Sequence, residues 1–383
     1  MMLKIFELST VDITLYKFAL PLMSELKQND FRVICGARNY GYLDKIEQKG
    51  FKTYDIALSR SLSPIALVKS LYQLIRILKK EEIDILHVHT PIASFIGRVA
   101  AFFAKVDIKI YTVHGFIFKP KVFYYVEKFM AKALTDYIFT VNQEDMDMAV
   151  NNGFISGDKA ININSVGIDV RCFDPGLINE TAKEQLRAGL NIKSNTPVIG
   201  YVGRIVRSKG VLDLVHAFVN IRKEINCQLL LVGPWDFNER PGDVIIQDIR
   251  RIICENQLEQ DIVLLGHRED IADLLSIMDI FVLPSYREGM PVSLLEAMAM
   301  EKAVIGTNIR GIKEEITGEC GLIYQPKDID GLQKSIEYYL KNHEEAVQVG
   351  KMARQRVIKH FSIDRVIEKQ MKVFMELSYN GNK

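Results

Sequence analysis

Two glutamates, Glu288 and Glu296, stand eight positions apart in SYREGMPVSLLEAMAM, residues 285–300. The preceding DIFVLP (279–284) reads as a short buried strand, and Val292, Leu295 and Ala299 with their neighbours read as one apolar helix face. The pair therefore spans a turn at the C-terminal end of a strand, where parallel sheets hold ligands. Gly289 permits unusual backbone angles and Pro291 suits a first helical turn. Free backbone N–H groups there are then expected to point outward as an anion site. One glutamate in such a place is ordinarily a solvated charge. A second stretch changes the reading. In GYVGRIVRSKGVLDLVHAF (200–218) a strand ends at Gly203, a loop carries Arg204, Arg207 and Lys209, and a helix starts beyond Gly210. Arg can grip two oxygens and Lys is a compact charge, so together they suit a diphosphate. The spacing is not GxxxxGK[ST], which argues against an ATPase P-loop.

Other groups are weaker by themselves. His114, in YTVHGF, sits at a strand's C-terminal end beside a glycine and is the first-half candidate; a lone His is otherwise a packing residue. His87 and His89, in HVHT, share one side of a strand. No Cys or carboxylate spacing nearby completes a metal set, so a structural or cleft-lining role is expected. Asp145 and Asp147 spell DxD, but in NQEDMDMAV they read as an acidic first helical turn. Backbone groups of His267 and Arg268, in GHREDIADLL, are placed to read a flat base, although Arg268 and Asp270 also suit a helix start. Trp235 lies in the loop GPWDFNERPGD, either covering the site or packing. The turn STVDITL (9–15) lacks glycine, so the dinucleotide fingerprint of a nicotinamide enzyme is missing. Thr10 or Asp12 is expected to cap the next helix at the cleft edge.

The elements that must position these residues follow a parallel α/β pattern. Strands are expected at 3–8, 31–35, 83–88, 108–113, 137–141 and 161–166, then at 198–202, 228–232, 262–265, 280–283 and 303–306. A chain of 383 residues exceeds one core. It is divided into a first Rossmann-like domain at 1–189, a second at 190–362, and a helix in 363–383 returning to the first. A net charge of +1 gives no reason to expect nucleic acid. Five scattered cysteines without CxxC spacing suit reduced cytosolic thiols. The N-terminal MMLKIFELS reads as a strand, from which no secretion is expected, and Pro91–Ala104 is too short and too interrupted to span a bilayer. Ile65, Val68, Leu71, Tyr72, Ile75 and Leu78 read as a core-packed helix. Residues 60–132 nevertheless hold twelve Lys or Arg against five Asp or Glu, a net of +7. Aromatics such as Phe116 alternate there with Lys119 and Lys121, which suits an anionic lipid surface.

Together, YVGRIVRSKG, LLGHREDIADLL, DIFVLPSYREGMPVSLLEAMAM and the C-terminal helix resemble the family-4 retaining glycosyltransferases of the GT-B fold. VDITLYKFALPLM, LSRSLSPIALVKSLYQLIRIL and NSVGID are similar to bacterial enzymes that extend lipid-linked sugars for capsule, exopolysaccharide or protein glycosylation. The resemblance implies two doubly wound domains facing across a cleft. It also implies a metal-independent transfer, with retention, of an N-acetylhexosamine or related hexose from a UDP-sugar to a polyprenyl-diphosphate-linked saccharide. Arg204 and Lys209 would hold the donor diphosphate beside Gly203, Glu296 the ribose, and Glu288 the sugar, with Gly289, Met290, Pro291 and Val292 around its hydroxyls and phosphate. His114 would sit beside the reacting carbon, and Thr10, Asp12, Phe116, Lys119 and Lys121 on the acceptor or membrane side. No cofactor or metal is implied, and the place of action is the inner face of the plasma membrane. Many relatives carry a glycine pair where this chain has Ser9 to Asp12. A sugar-nucleotide epimerase and a non-catalytic scaffold of the same fold are the alternatives.

Overall fold

The computed structural model describes residues 2–58, 64–116, 118, 120–235 and 244–380. The chain forms two compact units, Met1–Gly167 with Ile363–Lys383, and Ile168–Ser362. The division thus falls earlier than the expected join near 190. Ile178, Leu186 and Leu190 pack on the second unit's core, which draws the helix Glu180–Gly189 into that unit.

The first unit holds a seven-stranded sheet built from β1 (Lys4–Val11), β2 (Arg32–Arg38), β3 (Lys52–Asp55), β4 (Ile85–His89), β5 (Ile108–Val113), β6 (Tyr137–Thr140) and β7 (Ala160–Asn162). Their order is β3-β2-β1-β4-β5-β6-β7, every pair parallel. Strands covered on both faces read as continuous apolar runs, which is why most were legible. On one face the helix Ile363–Asn380 sets Phe374 against Phe31, His87 and Phe139, with ring centroids 5.9–6.3 Å apart. On the other lies the helix Pro91–Ala104. It comes close at Gly97, where a Cβ would stand 2.7 Å from Leu8 and 2.9 Å from Val88.

The second unit holds a six-stranded sheet built from β8 (Val198–Val202), β9 (Gln228–Val232), β10 (Ile262–Gly266), β11 (Ile280–Leu283), β12 (Ala303–Thr307) and β13 (Leu322–Tyr324). The order is β10-β9-β8-β11-β12-β13, again all parallel. Strand order reverses between β8 and β11 here, and between β1 and β4 in the first sheet. At such a switch point the strand-end loops diverge and leave a crevice.

Three expectations need correction. The strands β3 (KTYD) and β13 (LIY) were not foreseen, because edge strands of three or four residues are too short to show a pattern. The first strand continues to Val11, so Ser9 and Thr10 are strand residues. Neither Thr10 nor Asp12 caps the helix that follows β1: Thr10 bonds to Thr90 at 2.7 Å, and buried Asp12 instead accepts the N–H groups of Tyr40 and of Tyr42, the first residue of the helix Tyr42–Glu47, at 2.6 and 2.8 Å. Finally, the helix Pro64–Glu81 buries Leu74, Ile77 and Leu78, whereas Ile65, Val68 and Tyr72 are 83%, 66% and 62% exposed. Its apolar residues occupy two faces, of which the core takes one.

Candidate functional site

In the second unit the site grows from the switch point. β8 ends at Val202 and is followed by Gly203, exposed Arg204, and the single turn Arg207–Lys209. Gly210 then takes φ +65°, and a Cβ there would stand 2.0 Å from the Pro284 carbonyl oxygen. Only glycine brings the loop after β8 this close to the loop after β11. The two loops are joined again where Tyr286 N–H donates to the Ser208 carbonyl at 3.0 Å. Across this contact Lys209 Nζ lies 2.6 Å from Glu288 Oε1, and Ser285 Oγ donates to the same oxygen at 2.7 Å. Thr307, at the end of β12, donates to the Ser285 carbonyl at 2.6 Å. Three neighbouring strand ends therefore fix one carboxylate and one ammonium, both partly buried.

Pro291 has extended angles and is the residue before the helix Val292–Ala299, one place earlier than its expected position in the first turn. Pro291 gives this helix no side-chain cap, and a helix start of this kind suits an anion. Glu296 is half-buried on the helix itself. Arg310 Nε donates to the Glu288 carbonyl at 3.4 Å, and Gly311 (φ +81°) lets its loop approach the Gly289 carbonyl oxygen.

Sequence reasoning missed Glu315. Its side chain is wholly buried and neither carboxyl oxygen has a partner among the described residues. Burial, and then the charges of Glu288 and Glu314, push its carboxyl well above the usual range, so it stays neutral. Its place in GIKEEI read as an ordinary charged helix start. Ser285 and Thr307 were missed as well, because a lone hydroxyl at a strand end carries no sequence signal.

Arg268 forms an ion pair with Asp270, Nε to Oδ1 at 2.8 Å, immediately before the helix Ile271–Ser276, and exposed His267 follows β10. Trp235 lies over Gly266, where a Cβ would come within 3.2 Å of the indole. The rest of its loop lies outside the described residues.

In the first unit the reading of His87 and His89 needs correction, for a carboxylate does complete the group. Glu7 arrives from the adjoining β1, far away in sequence. Its Oε1 lies 3.0 Å from His87 Nδ1 and its Oε2 2.8 Å from His89 Nε2, all three side chains being buried. These atoms lie close enough to hold a metal ion. They also satisfy one another as hydrogen bonds, so the arrangement is complete as an ion network. Despite the burial that opposes it, the histidines draw the Glu7 pKa down to about 2. Burial, and then the neighbouring His89 and His87, lower that of His114 to about 3, keeping it neutral.

His114 itself is half-buried just beyond β5, with Phe18 at 6.4 Å between ring centroids. Phe116 stacks on Phe118 at 5.2 Å and packs into the core, Lys121 is exposed at the start of the helix Val122–Leu134, and Lys119 lies outside the described residues. Asp145 is buried and bonded to Asn142, which caps the helix Gln143–Asn151, whereas Asp147 is exposed and bonded to Gln143. The DxD spelling thus splits between a cap and a surface charge.

Profiles for glycosyl transferases group 1 and for glycosyl transferase 4-like domains match residues 182–356 and 4–142. The chain is 30% identical over 350 residues to the capsular polysaccharide biosynthesis glycosyltransferase CapM of Staphylococcus aureus, covering 87% of each. It is 28% identical over 367 residues to the UDP-Gal:alpha-D-GlcNAc-diphosphoundecaprenol alpha-1,3-galactosyltransferase of Escherichia coli, covering 92% of this chain and 91% of that one. A glycosyltransferase structure from Rickettsia africae ESF-5 shares the fold at a TM-score of 0.87 and 22% identity, over 99% of both chains. The Anabaena protein HepE, solved with UDP and glucose, does so at 0.82 and 18%, over 98% of this chain and 100% of that one. With a family profile matching in each half and a relative at 30% identity over most of its length, the chain belongs to the group 1 glycosyltransferases, family 4 of the GT-B fold.

Proposed function

We propose that the protein transfers a sugar, an N-acetylhexosamine or related hexose, from a UDP-sugar to a hydroxyl of a polyprenyl-diphosphate-linked saccharide, with retention at the anomeric carbon and without a metal ion. The observation that carries this reading is the Lys209–Glu288 pair at the switch point of the second sheet, just before the helix Val292–Ala299. The name of the Escherichia coli relative, which specifies a UDP-sugar donor and a diphosphoundecaprenol acceptor, supports both substrate classes.

As the bond from the anomeric carbon to the diphosphate breaks, negative charge grows on the departing oxygen. Arg204, Lys209 and the helix-start N–H groups stabilise that charge more in the transition state than before it, and this difference is what accelerates the reaction. Glu288 holds the sugar's hydroxyls, and Glu296 the ribose. The acceptor oxygen bonds to the anomeric carbon from the face the diphosphate leaves, and its proton passes to the departing phosphate. Arg204 and Lys209 supply the charge that a metal would otherwise bring.

The acceptor's place suits an anionic lipid surface. Next to the exposed Ile65, Val68 and Tyr72, a cavity of about 930 Å³ is lined by Arg38, Lys69, Arg76 and Lys80, with Asp55 as the acidic member.

The test is a panel of nucleotide sugars offered to the purified protein in the presence of a chelator, with released nucleotide measured, then a lipid-linked acceptor added and the product's anomeric configuration read by NMR. Slow UDP release from one donor, faster with acceptor, is expected. Lys209→Ala is expected to lower kcat about 100-fold or more. An isomerised UDP-sugar without transfer would favour an epimerase, and donor binding without turnover on any acceptor a scaffold.

A further inference from the structure

Behind His114 lies a row of buried polar groups that the proposed reaction leaves unused; a role for them in catalysis rests on His114 belonging to that reaction. Side chains two residues apart on a strand share a face. Glu7 and Ser9 on β1, His87 and His89 on β4, and Thr112 on β5 with His114 two residues beyond it, are aligned on one face of three adjacent strands by the pairings Glu7 with His87 and His89 with Thr112.

The hydrogens in this row can be assigned by elimination. Ionised Glu7 has none to donate, so His87 Nδ1 and His89 Nε2, which contact it at 3.0 and 2.8 Å, both carry hydrogens. His89 is kept neutral, chiefly by burial, and a neutral imidazole carries one hydrogen. Its Nδ1 is therefore a bare lone pair. That atom is enclosed and has no partner among the described residues, and the same is true of two others on this face, Ser9 Oγ and His114 Nε2. The His89 and His114 rings lie 5.9 Å apart between centroids. An enclosed acceptor without a donor is costly, on the order of 1–3 kcal/mol. The enclosed groups on this face that can donate are His114 Nε2 and the Ser9 hydroxyl, which Ser9→Ala tells apart.

We propose that Glu7 and His89 are positioning residues that select the tautomer of His114. His89 Nδ1 accepts the Nε2–H of His114, through a small ring turn or one bridging water, so that His114 presents its Nδ1 lone pair at the half-exposed edge of the ring. There it accepts a hydrogen bond from a sugar hydroxyl. A carboxylate two imidazoles away thus decides whether His114 is an acceptor or a donor toward substrate, as second-layer partners do for metal-bound histidines.

The experiment is ¹⁵N–¹H NMR of the imidazoles in the full-length protein without nucleotide, comparing wild type with Glu7→Gln, His89→Asn and Ser9→Ala. Wild-type His114 is expected as a single Nε2–H tautomer. Glu7→Gln, whose amide can also donate to His89, is expected to mix the two His114 tautomers and to lower kcat about tenfold or more, with the donor KM little changed. His89→Asn keeps an acceptor near the place of Nδ1 and is expected to retain the wild-type tautomer, as is Ser9→Ala. An Nδ1–H tautomer in the wild type overturns the proposal whether or not any variant folds, and so does a His114 signal indifferent to Glu7→Gln. Because the spectra need no turnover, absence of transferase activity with the expected tautomer would count against the proposed reaction and leave the assignment standing.

Discussion

His114 and Glu7 show how burial sets chemistry one residue at a time. Both have folded pKa values below their ordinary ones, about 3 against 6.5 for His114 and about 2 against 4.5 for Glu7. The unfolded chain therefore binds more protons as pH falls, and stability is lost in that direction. The loss begins with His114 below about pH 6.5 and is joined by Glu7 below about 4.5. His89, also lowered by burial and by His87, adds to the upper part, opposed by its bond to Glu7. Between pH 7.5 and 5.5, wild type is expected to lose on the order of 1 kcal/mol more unfolding free energy than His114→Asn. Urea titrations of the first unit at the two pH values measure this. Equal losses would mean that His114 titrates normally.

At the scale of elements, one close approach sets the loop that carries Glu288. Gly210→Ala puts a Cβ into the Pro284 carbonyl at a positive φ, a strain of about 1–3 kcal/mol. The loop after β11 must shift, and Glu288 with it. A lower Tm together with a raised donor KM is expected; a lower Tm with unchanged KM would separate the glycine from the site. A second element effect concerns the helices Pro64–Glu81 and Val122–Leu134, which expose Val68 and Phe129, each at 66%. Exposed apolar side chains beside lysines are what an interfacial surface requires. Val68→Glu with Phe129→Glu is expected to reduce co-sedimentation with phosphatidylglycerol vesicles at least tenfold without lowering Tm. Undiminished binding would remove this face from consideration.

At the scale of the molecule, the chain crosses between its units twice. Ile168 and Ser362 form a parallel bridge in the second unit, and Ile363 crowds Gly167 in the first, so the last helix is folded into the first unit. No described helix is long and apolar enough to cross a membrane. Phe374, wholly buried on that last helix, packs on His87 and Phe139. Phe374→Ala is expected to cost the first unit about 3–5 kcal/mol. Amide hydrogen exchange in β1 and β4 reads this directly, and unchanged protection there would show that the helix is dispensable to that sheet.

The residues by themselves determined the parallel α/β class and the strands buried on both faces, since a strand with no solvent side must be apolar throughout. They also pointed to the pairing of the stretches that carry Lys209 and Glu288, the place proposed for the donor, because the turn chemistry of each is local. Tertiary structure decided what depended on pairing across the sheet. Glu7 reads as one acid in a strand until β1 is placed beside β4, and only then do His87 and His89 acquire a partner. Val68 and Leu78 are equally apolar in sequence, and the packing of one helix decides that the first faces water and the second the core. Thr307 reaches the Ser285 carbonyl, and Glu315 is buried, only when the strand ends are brought together, and periodicity along a chain carries no information about which strands will be neighbours.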